Sequence, residues 1–381
     1  MRALGANTVR LYGNDPSQAH TEFLDEAQAN GLGVIAGISD WPYLQMPGSC
    51  KETHHNCFEQ IYESYKMNLE NGFVVDDGEG GKAYHPALRC MVIINEPEIG
   101  KFDRSRAVQC KVVASAFDAI LQAERDVGVT GKLIAFTVTY SYANFYGVSG
   151  LGQMEMLYAC MKDPAGKGLY NPKNDISWAY LGRFVNAFNT YSPANDIRGQ
   201  FLSEYSRSVF WKGKTQIPVF VAEYHAPSHS QVRDLPDMLS SSGDGHYPFF
   251  FGYCFFEFQA RYDKAQNAEH EMTFGMFGFN TKCTIGEMIF FGNKYPIHAL
   301  YSRRGIEGHP VPSAVAKAFG GDSARVNDSC TLATVPVALS AQAQPEERTE
   351  GFLLDVAGSM TTYRDINAWG LSADPAQQYL V

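Results

Sequence analysis

Apolar positions along this chain repeat in two alternating rhythms: short continuous runs of strand type, and longer segments with helical spacing. Thr8-Val9-Arg10-Leu11-Tyr12 is rich in strand formers, and Asp15-Pro16 after it supplies a helix N-cap with proline at the first helical position. Ala19, Phe23, Leu24 and Ala27 then fall on one helical stripe that stops at Gly31 and Gly33. Residues 33–38 are an unbroken apolar run, the pattern of a strand covered on both faces. Phe58, Ile61, Tyr62, Tyr65 and Leu69 return to helical spacing and end at Gly72. A strand at 91–94 and a long amphipathic helix over about 103–124 come next. The alternation continues with strands at 133–138, 184–188, 218–222 and 249–256, and with helices at 153–160, 197–210 and 311–319.

Repeated βα units predict a parallel sheet, and seven such strands predict a (β/α)8 TIM barrel over residues 1–320 rather than an open doubly wound sheet. No Gly-rich dinucleotide fingerprint follows the first strand, which argues against a Rossmann arrangement. Seven is one strand short. Arg2-Ala3-Leu4-Gly5-Ala6-Asn7 has the form of a helix tail with a Gly stop, so a first strand and most of a helix are expected upstream. That expectation also accounts for an opening with no apolar signal-peptide core. Residues 321–381 read as an irregular extension, with Ser, Ala, Gln and Glu dominant through Thr349 and 360–380 as a short docking segment.

Composition narrows the class. The chain has 381 residues, 45% hydrophobic and only 19% charged, with 13% aromatic and a net charge of -10. Low charge with many rings suits a neutral ligand. An acidic balance without a basic stripe excludes a nucleic-acid partner. The most apolar run, 249–256, is far too short for a transmembrane segment. Among eight cysteines, an oxidising compartment allows Cys50 to pair with Cys57, or Cys254 with Cys283. Cys90, Cys110 and Cys254 sit among apolar residues and read as buried free thiols. His54-His55 beside Cys50 and Cys57 lacks a second ligand pair and reads as a surface loop rather than a metal site. One N-glycosylation sequon begins at Asn327.

The candidate chemistry lies in two glutamates, each at the end of a buried strand: Glu96 in Met91-Val92-Ile93-Ile94-Asn95-Glu96-Pro97, and Glu223 in Pro218-Val219-Phe220-Val221-Ala222-Glu223-Tyr224. Barrel enzymes place catalytic groups just past the C-terminal ends of parallel strands. Retaining glycosidases need two carboxyl groups about 5–5.5 Å apart, one as nucleophile and one as acid/base. The acid must sit in an enclosed, partly apolar place, as Glu96 does between Asn95 and Pro97. The nucleophile needs hydrogen-bond donors or positive charge, which Arg10 and a tyrosine can give Glu223. Tyr12 and Tyr191, at strand ends, read as pocket-lining, and Trp41, just past the third barrel strand, as a sugar platform or a cap on the rim. Glu257 either hydrogen-bonds substrate or closes a network with Arg261. Glu98 is the rival of Glu96 but reads as solvated. His225 reads as tuning the neighbouring glutamate or touching sugar.

Asn95-Glu96-Pro97 and Glu223-Tyr224 resemble the two signatures of the clan of retaining (β/α)8 glycoside hydrolases. Within it, Leu4–Tyr12, Gly33–Ser39, Asn189-Thr190-Tyr191 and Gly252–Phe258 are most similar to glycoside hydrolase family 72, the fungal β-1,3-glucanosyltransferases. Pro97 is closer to the cellulase and mannanase family of the clan, and His225 stands where family 72 has Gly. The resemblance covers residues 1 to about 280. It implies Glu96 as acid/base, Glu223 as nucleophile, Asn95 as partner of the substrate 2-hydroxyl and Arg10 as the group orienting Glu223. Tyr12, Asn189, Tyr191 and Tyr224 would shape the sugar subsites. The activity implied is a retaining β-glycosidase or transglycosylase on β-glucan, by a monomer, with an oligosaccharide or polysaccharide substrate and no metal or organic cofactor. The setting implied is extracellular or cell-surface. A β-1,4-mannanase or cellulase of the same clan, and a non-catalytic carbohydrate-binding barrel, are the alternatives.

Overall fold

The computed structural model describes residues 1–325, apart from 79, 213–214, 244–245, 266–268 and 291–292. The sequon, Cys330 and the segment 360–380 lie outside these residues. In chain order the strands begin with β1 (Thr8–Arg10), β2 (Gly33–Gly37) and a small antiparallel hairpin of β3 (Val74–Asp76) and β4 (Lys82–Tyr84). Then come β5 (Leu88–Asn95), β6 (Ala135–Ser141), β7 (Asn186–Thr190), β8 (Val219–Tyr224) and β9 (Phe250–Phe255). A second hairpin joins β10 (Phe277–Phe290) to β11 (Asn293–Ser302). One parallel sheet runs β1-β2-β5-β6-β7-β8-β9 and curls into a nearly closed barrel, one strand fewer than the eight of a complete TIM barrel. Among the described residues no strand pairing joins the two edges, β1 and β9.

The helices are α1 (Thr21–Ala29), α2 (Phe58–Asn68), α3 (Arg106–Val127), α4 (Leu151–Lys162), α5 (Pro164–Gly168) and α6 (Ile176–Arg183). They continue with α7 (Ala194–Asp196), α8 (Ser203–Tyr205), α9 (Gln231–Ser240) and α10 (Val311–Ala318). A π-helical turn, Ile197–Leu202, links α7 to α8. Helix α3 starts where the Ser105 side chain accepts from the Val108 N–H, and it stops at Gly128 in the left-handed conformation (φ 82°). Two fully buried groups lock this long helix to its neighbours. Asp118 accepts from Tyr170 Oη (2.6 Å) and from the Lys173 and Asn174 amides (2.7 and 2.8 Å), and Glu124 forms a two-bond ion pair with Arg183 (2.7 Å each).

Two apolar cores separate along the strands. Ile35, Cys90, Val92, Ala135, Ala187, Phe220, Ala222 and Cys254 meet inside the barrel. The larger core, including Met91, Ile93, Ile94, Val219, Val221 and Tyr224, lies between the barrel and the helices. This is the period-2 alternation of strands, inward then outward.

The cysteine reading needs one correction. Cys50 is bonded to Cys57, while Cys90 and Cys254 are buried free thiols, so Cys254 does not pair with Cys283. Cys110, however, is bonded to Cys160. Its apolar neighbours reflect the α3–α4 packing that brings the two Cα atoms to 5.5 Å, a juxtaposition that a separation of 50 residues conceals.

Candidate active site

Register breaks in two strands aim the candidate acids. Along β5 the pairing with β6 slips between Val92 and Ile94, so Ile93 and Ile94 both face the helices and Asn95 turns inward. Along β8 the pairing with β7 slips between Phe188 and Asn189, so Glu223 follows Ala222 into the barrel mouth and Tyr224 turns outward. Such bulges re-aim side chains at barrel rims. Glu96, one residue past β5, has φ 46°, the left-handed region that a non-glycine residue enters only when its surroundings compel it. Its amide donates to the Thr139 carbonyl (2.7 Å) and its carbonyl accepts from Ile99 N–H (3.1 Å).

One buried guanidinium joins the parts. Arg10 Nη1 donates to Glu223 Oε1 (2.8 Å) and to the Ala222 carbonyl (2.8 Å), and Arg10 Nη2 donates to Asn95 Oδ1 (2.7 Å). Asn95 Oδ1 also accepts from Asn189 Nδ2 (3.1 Å) and from Thr139 Oγ1. With three donors on the oxygen, the Asn95 amide nitrogen is the atom left to face the cleft. Burial pushes the Glu96 carboxyl up to about 7, and the charge of Glu223 pushes the same way, while a hydrogen bond from Asn189 opposes them.

Tyr12 lies beside the Arg10–Glu223 pair, and further exposed rings stand on the segments after β2 and β7. Tyr12 is 44% exposed, packs under the Arg10 guanidinium (4.6 Å to its ring centre) and meets Phe256 edge-on (6.0 Å). A Cβ on Gly37 would lie 2.6 Å from the Tyr12 carbonyl oxygen, so only glycine lets β2 approach this turn so closely. Trp41 is 55% exposed at the start of a π-helical turn after β2, and Tyr191 is 73% exposed after β7. Glu257 is half-buried, with Oε1 enclosed and without a hydrogen-bond partner. Burial raises its carboxyl to about 7, with Arg261 opposing and Glu223 adding to the rise. Arg261 itself gives both its hydrogen bonds to Asp263 (2.8 and 2.7 Å), so no closed Glu257–Arg261 pair forms. An apolar cleft of about 530 Å³ opens beside Arg10, Tyr12 and Glu257, between the two barrel edges.

Three expectations are corrected here. Tyr224 is fully buried and gives its hydroxyl proton to Asp234 Oδ2 (2.5 Å); the bulge in β8 sends it to the helix layer, away from any sugar. Glu98 is fully buried rather than solvated: Oε1 accepts from the Ser141 N–H and Oγ (2.7 and 2.8 Å), fastening the turn after β5 to the end of β6. His225 is also buried, with Nδ1 at 3.1 and 2.8 Å from the Phe256 and Phe274 carbonyls, so it clamps the loop that carries Glu257 instead of reaching a ligand. Burial lowers its pKa to about 4.

Thr139 and Lys101 belong to the site and were not foreseen. Thr139 is legible afterwards as a polar residue on the inward phase of β6. Lys101 gave no sequence signal.

No protein-family model matches this chain, and no curated protein matches it. Solved structures similar to it include Saccharomyces cerevisiae Gas2p, as a glutamate-to-glutamine mutant in complex with laminaritetraose and laminaripentaose. That structure is 13% identical with a TM-score of 0.48, the match covering 84% of this chain and 56% of the other. A further Gas2 structure, in complex with a small compound, is 13% identical with a TM-score of 0.49, covering 84% and 57%. The chain thus spans little more than half the length of these structures.

Proposed function

We propose that this protein is a retaining β-glycosidase or transglycosylase acting on β-1,3-linked glucan. The observation that carries the reading is the pair Glu96 and Glu223 at one barrel mouth, one carboxyl raised to about 7 by burial and the other ion-paired to Arg10. A raised carboxyl beside a paired one is the division of labour that the chemistry requires.

Glu223 attacks the anomeric carbon from one face of the sugar ring while Glu96 gives its proton to the departing glycosidic oxygen. An ester between sugar and Glu223 results. Glu96, now a carboxylate, takes a proton from water or from an acceptor sugar hydroxyl, whose oxygen displaces Glu223 and restores the β configuration. The Asn95 amide nitrogen donates to the 2-hydroxyl, Tyr12 borders the sugar nearest Glu223, and Trp41 and Tyr191 offer rings to neighbouring sugars. Glu257 meets a hydroxyl on the Glu223 side. The β-1,3 linkage rests on the motif resemblance. The Cys50–Cys57 and Cys110–Cys160 disulfides favour an extracellular or cell-surface setting.

Incubation with laminari-oligosaccharides and sizing of the products tests this. Shorter products mean hydrolysis and longer ones mean transfer. An untouched substrate, with cleavage of mannan or cellulose instead, removes the β-1,3 assignment; inertness on every β-glycan removes the catalytic one.

A further inference from the structure

Lys101 lies five residues beyond Glu96 and is largely enclosed. Its Nζ donates to the Asn95 carbonyl (2.6 Å), on the peptide that leads into Glu96, and to Asp40 Oδ1 (2.7 Å) on the segment between β2 and Trp41. The neighbouring turn is tied down at each step: Pro97 by Gln109 (Nε2 to its carbonyl, 3.2 Å), the Glu98 carbonyl by Arg104 Nε (3.0 Å), and the Glu98 side chain by Ser141. A left-handed glutamate persists only under such multiple restraint. Among these ties, Lys101 brings a positive charge that favours the ionised Glu96 carboxyl.

We propose that Lys101 is a positioning residue for Glu96: it holds the Asn95 carbonyl and the Asp40 carboxylate together, fixes the turn that presents the acid/base, and sets a cation behind it. The inference rests on the reading of Glu96 as acid/base. The charged groups around Glu96 divide cleanly. Glu223 on β8 and Glu98 in its own turn favour its protonated form, as does the burial of the site, while Lys101 and the Asn189 amide on β7 favour the ionised form. Arg10 on β1 is committed to Glu223 and Asn95, Asp40 to Lys101, and Glu257 stands on the Glu223 side of the cleft. Removing Lys101 therefore takes away a cation that opposes burial and two negative charges.

The test is a carbon-detected NMR titration of the Glu96 carboxyl in protein labelled at glutamate side chains, assigned by its loss in Glu96→Gln. Lys101→Met is expected to move the inflection upward by about one pH unit, the size of a nearby opposite charge. Lys101→Arg is expected to keep it near the parent value. Asp40→Asn, which frees the lysine charge and removes a negative one, is expected to move it down, and it decides the matter if Lys101→Met does not fold. Identical titrations in all variants overturn the proposal. In turnover of laminari-oligosaccharides, the basic limb of kcat/KM is expected to follow the NMR inflection, with kcat falling more than KM rises. A parent protein that cleaves no glycan defeats the proposed function, yet the carboxyl titration still decides the role of Lys101.

Discussion

Arg10 and Glu223 are 213 residues apart in the chain, and their 2.8 Å ion pair is buried at the mouth of the barrel, where the same guanidinium also reaches Asn95. The pair runs from the first barrel strand, β1, to the last but one, β8, so one side chain reaches past the β9 edge and orients two site residues. Arg10→Met is expected to leave Glu223 without its cation and Asn95 Oδ1 with only Asn189 and Thr139 as donors. Breaking a buried pair from one side costs about 3–5 kcal/mol, measurable by urea denaturation. Arg10→Lys is expected to retain part of the stability but not the activity, because a single ammonium cannot reproduce the planar fork that serves Glu223 and Asn95 together. Wild-type turnover in Arg10→Lys would show that the fork is not needed.

The two glutamates are expected to fail in different ways. In Glu223→Ala the glycosyl ester cannot form, and azide added to an activated β-glucoside should displace the leaving group directly, giving the α-glucosyl azide. In Glu96→Ala the ester forms from substrates with good leaving groups, and azide attacks it without a general base, giving the β-glucosyl azide. NMR of the two products assigns the roles. The same anomer from both variants, or the reverse pairing, would exchange or cancel the assignment.

Much of this arrangement was visible in the sequence, for identifiable reasons. Most of the seven barrel strands carry short apolar or β-branched runs between turn residues, and each lies within a few positions of the bounds that its sequence predicts. Glu96, Glu223 and Arg10 were legible because they break apolar runs at strand ends. Tyr224 was misread because a bulge reverses the alternation at Ala222-Glu223, and no residue in that stretch announces a bulge. The β10–β11 hairpin escaped notice because its strands are mostly exposed and lack the buried runs used to find the others. Helix α9 was missed for a different reason: Pro236 lies inside it and mimics a stop signal. Glu98, Lys101 and the Cys110–Cys160 bond depend on contacts between segments, which no local pattern encodes.

Raised acid groups make stability depend on pH. Glu96 binds its proton more tightly in the folded state, where its pKa is about 7, than in an unfolded chain near the ordinary 4.5. Its contribution is therefore fully present below about pH 4.5 and is lost as the pH rises through 7. Glu96→Gln, which cannot ionise, is expected to match the parent at pH 4.5–5 and to exceed it at pH 8.5, by on the order of 3 kcal/mol. Glu257→Gln is expected to show the same sign with a smaller size, since Glu257 is only half-buried. Thermal denaturation of the three proteins at both pH values checks this, and a Glu96→Gln variant with no pH-dependent gain contradicts the enclosed carboxyl.

Two tyrosines separate the cleft from its support. Tyr224→Phe removes one hydrogen bond to Asp234, whose Oδ1 still accepts from the Ala194 N–H (2.9 Å), so the expected cost is about 1–2 kcal/mol. Because Tyr224 faces the helices, kcat/KM on laminari-oligosaccharides should remain close to the parent value. Tyr191 is the opposite case: exposed after β7, it contributes a ring rather than packing, and its aromatic neighbour among the described residues is Phe274, 6.5 Å away. Tyr191→Ala is expected to leave stability within about 0.5 kcal/mol, as for exposed substitutions generally. Loss of a sugar-stacking ring should raise KM on longer oligosaccharides several-fold and leave kcat little changed, because stacking that is equal in ground and transition states appears only in binding. Steady-state kinetics on laminari-oligosaccharides of increasing length distinguishes the two residues. A large KM effect from Tyr224→Phe with none from Tyr191→Ala would place the sugar on the wrong side of β8 and overturn the geometry of the site.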